Sequence, residues 1–95
     1  MRIAQVSPLH ESVPPPRYGG IERIVSYLVE EHVRMGHEVT LYASGDSCTP
    51  ARLRPGCEQA LRTNPACLDP LPHHLAMLHQ VVLDADEYDV IHFHT

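Results

Sequence analysis

The sequence predicts an α/β fold built on a parallel sheet, with elements in the order β-α-β-β-α-β. Three observations carry that reading. A short apolar strand opens the chain and leads through a Gly-Gly loop into an amphipathic helix. A strand rich in β-branched and aromatic residues follows that helix at once, which completes a βαβ unit within roughly the first 43 residues. A second helical stripe then runs into a last apolar strand at the end of the chain.

The first strand is Arg2–Val6, where Ile3, Ala4 and Val6 suit a strand covered on both faces. Pro8 ends it. Residues 7–20 form a loop with Pro14-Pro15-Pro16 at its centre and Gly19-Gly20 at its end. A loop of that length inside a compact domain is usually functional or disordered. Residues 21–35 are a helix, with Ile21, Ile24, Val25, Leu28, His32 and Met35 on the predicted core face. Glu22 sits in its first turn, where the helix dipole favours a carboxylate. Gly36 is placed to end it in the left-handed conformation.

His37–Ala43 is the second strand, stopped by Ser44-Gly45-Asp46. Five prolines between residues 50 and 72 keep the next stretch irregular, with room for a short strand around Cys57–Arg62. Pro72 suits the first turn of a second helix, 72–86, with Leu75, Leu78, Val82 and Ala85 inward. Tyr88–His94 is the final strand. The βαβ crossover is expected to be right-handed and its strands parallel. The doubly wound arrangement places the first strand beside the last, with a crevice at their carboxyl ends. A site is therefore expected between the 7–20 loop and the residues around His94.

Composition narrows the functional classes. At 95 residues the chain has room for no more than one domain, and 43% hydrophobic with 20% charged residues is ordinary globular composition. The net charge of −5 argues against nucleic acid or an anionic membrane as the main partner. No apolar run is long enough for a secretory signal or a membrane span. Cys48, Cys57 and Cys67 fit neither a disulfide framework nor a CxxC motif, so three reduced thiols in a cytoplasmic protein are expected.

The site candidates follow from position. Gly19 and Gly20 open the first helix, where bare backbone lets a phosphate approach free N–H groups; a loop that merely needs glycine explains them equally well. Arg17 is either a bidentate phosphate donor or a solvated loop residue. His92 and His94 alternate on one strand face. No other ligands stand at metal-site spacing, so His94 reads either as a crevice residue or as a packed structural histidine. His32 reads as a core histidine with its polar atoms satisfied. Asp46 reads as a turn residue, with a ribose-binding acid as the lesser alternative. The GxGxxG and GxxxxGK[ST] fingerprints are absent, which weighs against a nicotinamide enzyme and a P-loop NTPase.

Three strings stand in a telling order: Pro15-Pro16-Arg17-Tyr18-Gly19-Gly20-Ile21-Glu22, Gly36-His37-Glu38-Val39 and Asp89-Val90-Ile91-His92-Phe93-His94. Together they resemble the amino-terminal part of family 4 glycosyltransferases, retaining enzymes of the GT-B fold. The resemblance implies a partial Rossmann-like domain over residues 1–95. It implies a hexosyl transfer from a nucleotide-sugar donor to an acceptor, without metal or other cofactor. Gly19 and Gly20, with Arg17 beside them, would contact the donor diphosphate, and His94 would line the cleft. The paired acidic residues of that family lie beyond its amino-terminal domain, so no catalytic residue is expected in this chain, which alone should be inactive. A non-catalytic α/β binding module is the alternative. The last strand, 88–94, is expected at a sheet edge, where it would pair with another copy or leave the chain unstable.

Overall fold

The computed structural model describes residues 1–17 and 19–94. Tyr18, a member of the first motif string, lies outside them. Strands β1 (Arg2–Val6), β2 (Glu38–Ser44), β3 (Arg52–Cys57) and β4 (Val90–Phe93) form one parallel sheet in the order β3-β2-β1-β4. Helix α1 (Gly20–Arg34) covers one face and helix α2 (Leu71–Asp84) the other. The α/β class, the parallel strands and the pairing of the first strand with the last are as the sequence predicts.

Alternation along β1 distributes its side chains between two cores. Ala4 and Val6 join Leu9, Tyr42, Leu61, Met77 and Val81 beneath α2. Val25 and Val29 of α1 pack with Val13, Val39, Leu41 and Ala43 on the opposite face. Residues 8–13 of the loop after β1 contribute to these cores. Leu9 and Val13 are fully buried, and the backbone of Val13 is bound on both sides, by Ser47 Oγ at 2.9 Å and by the Cys48 N–H at 2.9 Å. Glu11, also buried, pairs with Arg62.

Helix α1 ends as foreseen. Gly36 has φ +91°, its N–H donates to Val33 O at 3.0 Å, and the His37 N–H donates to His32 O at 3.1 Å. That is the Schellman arrangement, which uses carbonyls the helix end would leave bare.

The core faces of both helices differ from the predicted ones. Glu22, Val25, Ser26 and Val29 are the buried residues of α1, whereas Ile21, Ile24 and Met35 are at least half exposed. In α2 the buried residues are Met77, Val81 and Asp84, and Leu75 and Val82 are exposed. Each helix carries two adjacent apolar stripes about one residue apart in phase, and periodicity alone does not say which one meets the sheet.

The third strand also differs. It spans Arg52–Cys57, not Cys57–Arg62, and it contains Pro55 and Gly56. Proline is tolerated there because β3 is an edge strand, and the ladder is interrupted where Ala43 faces Pro55 but Ser44 faces Cys57. Gly56 leaves the room that the Leu9 side chain fills, since a Cβ there would lie 3.0 Å from it. Leu61–Thr63 is a 3-10 turn, tied to the loop by the Leu61 N–H on Leu9 O at 2.9 Å.

Candidate functional site

A cleft of about 310 Å³ opens at the carboxyl ends of β1 and β4. Four segments build it: Pro8 and His10 from the loop after β1, Ile21 from the first turn of α1, His74, Met77 and Leu78 from α2, and His94 just past β4. Ile21 and Leu78 belong to the predicted apolar stripes. Part of what the helices do not turn toward the sheet therefore lines this cleft.

Of the candidates from sequence, His94 lies in the cleft wall, and the Gly19-Gly20 pair adjoins it through Ile21. Gly19 precedes α1, and its carbonyl accepts the first intrahelical bond from the Arg23 N–H at 3.0 Å. A Cβ on Gly19 would lie 3.0 Å from both Glu22 Oε1 and Pro15 Cβ, so the chain passes too closely for a side chain. A Cβ on Gly20 would meet nothing within 4 Å. The backbone at the helix start is thus open on the Gly20 side, where the amides of the first turn have no partner within the helix. Arg17 is exposed and does not line the cleft. Its carbonyl, like that of Pro15, accepts from the Arg23 guanidinium at 3.4 Å, which ties the proline loop to α1.

His94 is held from two sides. Its N–H donates to Val6 O at 3.0 Å, continuing the β1–β4 ladder, and its Nε2 bonds Gln5 Oε1 at 2.6 Å. Burial, reinforced by the neighbouring His92 ring with its centroid 4.0 Å away, holds the His94 imidazole below its usual range and favours the neutral ring. His74 is fixed at both nitrogens. Nε2 accepts the Leu9 N–H at 3.0 Å and Nδ1–H donates to Pro70 O at 3.0 Å. The His10 ring lies against it, with centroids 5.0 Å apart.

His32 is half-buried and accepts at Nδ1 from Gln5 Nε2 at 3.2 Å, in keeping with a satisfied histidine. Asp46 is a turn anchor. It accepts from Ser44 Oγ at 2.5 Å and from the Ala60 N–H at 3.1 Å, joining the end of β2 to the segment after β3. Sequence reasoning passed over Gln5, His10 and His74. Gln5 carried a usable signal, as the one polar residue between Ala4 and Val6 in a strand otherwise read as buried. His10 and His74 carried none, because only the tertiary fold brings their rings together.

Two structural facts bear on the remaining expectations. Among the described residues no helix is long and apolar enough to cross a membrane, and Cys48, Cys57 and Cys67 are free thiols.

In comparisons with known proteins, no curated protein sequence matches this chain. The family model described as Glycosyltransferase Family 4 matches residues 18–95, which takes in both helices, strands β2, β3 and β4, the Gly-Gly pair and His94. The chain belongs to glycosyltransferase family 4.

Proposed function

We propose that this chain forms the acceptor side and part of the diphosphate site of a retaining, cytoplasmic hexosyltransferase that uses a nucleotide-sugar donor. The observation that carries the proposal is the conjunction of an open helix N-terminus at Gly19-Gly20 with an apolar-walled cleft beside it, in a chain of this family. The first-turn amides of α1 take the donor diphosphate, favoured by the positive end of the helix dipole. The lack of a Cβ at Gly20 lets phosphate oxygens approach that backbone. Arg17 lies on the same loop and supplies positive charge near the phosphates. The cleft between the loop, α1 and α2 receives the acceptor, with His94 in its wall. The chain acts as part of a two-domain enzyme, and on its own it transfers no sugar.

The test is a titration of the isotope-labelled 95-residue chain with UDP, GDP and their hexose conjugates, followed by amide NMR. Shifts concentrated at Gly19–Glu22 are expected. Gly20→Ala should keep the fold, having space for its Cβ, but bind the diphosphate less tightly. Absence of any response at millimolar ligand would overturn the diphosphate site. Response by an NAD titration alone would replace it with a nicotinamide-binding role.

A further inference from the structure

Gln5 is a polar side chain near the cleft with none of its surface open to solvent. It sits on the α1 face of the central strand, in register with His92 of β4 and Leu41 of β2. A buried primary amide must place both its ends or lose stability. Here both are placed on histidines. Oε1 meets His94 Nε2 at 2.6 Å, and Nε2 donates to His32 Nδ1 at 3.2 Å.

An amide does not ionise, and its donor and acceptor ends are distinct. It therefore dictates which nitrogen of each neighbouring ring carries a proton. His32 must accept at Nδ1. His94 must donate from Nε2, which in a neutral ring leaves Nδ1 with a lone pair and no proton. No hydrogen bond among the described residues engages that Nδ1, whereas both nitrogens of His74 in the same wall are taken. The rest of the wall is mainly apolar: Pro8, Ile21, Met77 and Leu78.

We propose that Gln5 is a positioning residue: it fixes the His94 tautomer so that the cleft presents a hydrogen-bond acceptor, selecting ligands that combine an apolar part with a donating hydroxyl. This rests on the reading of the cleft as an acceptor site and adds the residue that sets its polarity and the chemical class it takes. Gln5 touches no ligand itself; it acts through the ring of His94.

Long-range proton–nitrogen NMR of the histidine rings at pH 7.5 tests the first half. In the unaltered chain His94 is expected protonated at Nε2, with an unprotonated Nδ1. Gln5→Met, close in shape and without polar ends, should give a mixture of tautomers at His94. Gln5→Glu keeps an acceptor for His94 and should preserve its Nε2–H form while altering His32. A His94 ring protonated at Nδ1 in the unaltered chain, or unchanged by Gln5→Met, overturns the proposal. Should Gln5→Met fail to fold, the unaltered chain and Gln5→Glu still decide it. For the second half, phenyl β-glucoside serves as the probe. It should shift cleft residues in the unaltered chain and in Gln5→Glu, and bind roughly 2–10-fold more weakly to Gln5→Met, the loss of about one neutral hydrogen bond. Equal binding by all three chains, or no shift in any, overturns the ligand class. A UDP response at Gly19–Glu22 in those same samples would leave the diphosphate site standing.

Discussion

At the scale of single residues, buried polar groups do much to define this molecule. The Tyr42 hydroxyl, beneath α2, donates to Asp84 Oδ2 at 2.7 Å and lies 2.7 Å from the Tyr88 hydroxyl. Burial first, then the Asp84 and Tyr88 oxygens, pushes the Tyr42 phenol far above its usual range, so it stays a donor at all ordinary pH. The bond from Tyr42 in turn holds Asp84 below the usual carboxylate range, assisted by Gln80 and Arg54. Tyr42→Phe should therefore cost about 1–3 kcal/mol in urea unfolding, with the slope m unchanged, because it strips a donor from a buried carboxylate. His94 supplies a pH prediction. Its pKa in the folded chain lies below the unfolded value of about 6.5, so the unfolded state binds the proton more readily. Its contribution to stability is complete above about pH 6.5 and is lost as the pH falls through the lower folded value. Unfolding free energies at pH 7.5 and pH 5.5 should differ less in His94→Asn than in the unaltered chain. None of the Tyr42–Asp84 network was legible in the sequence. In the sequence Asp84 is followed by Ala85, Asp86 and Glu87, a run that gives no hint of burial, and only the sheet brings Tyr42 and Arg54 to it.

At the scale of elements, the signals with a single physical meaning read correctly. Gly36 after the periodic stretch marked the end of α1 because the left-handed conformation there suits glycine. The β-branched run through Val39 and Thr40 marked β2. The signals with two meanings did not settle the structure. Pro55 argued against a strand where β3 runs, although at an edge its missing N–H costs little. The phase of α1 was ambiguous between two stripes. That phase has a measurable consequence: Val29 is 1% exposed and Ile24 56%. Val29→Ala should cost about 2 kcal/mol, for two buried methyl groups plus a cavity, whereas Ile24→Ala should change stability by less than about 0.5 kcal/mol. Thermal and urea unfolding of the two variants side by side checks this, and a larger loss for Ile24→Ala would contradict the packing.

At the scale of the whole molecule, the doubly wound order was legible because parallel βαβ units admit few arrangements, and it located the crevice before any side chain was placed. What the order leaves over is the outer side of β4. Val90 and Phe93 on that strand are 42% and 46% exposed. An edge with such side chains favours pairing with a second copy. The chain should show concentration-dependent mass in sedimentation velocity, and Phe93→Lys should reduce it; a monomer at all concentrations would show that the edge stays unpaired. The β1–β4 ladder has a further consequence. Arg2 and Asp89, bonded to each other at its entrance, are 87 residues apart in sequence. Strand β1 gains β4 as its second neighbour only after the residues between them have been synthesised. Such distant pairing slows folding, because the loop must close before the contact stabilises anything. On the ribosome, β1 and β2 can meet early, but Gln5 stays without His94 until β4 has emerged. The amide and its two histidines are thus joined only when β4 pairs with β1, and the His94 wall of the cleft forms with that pairing.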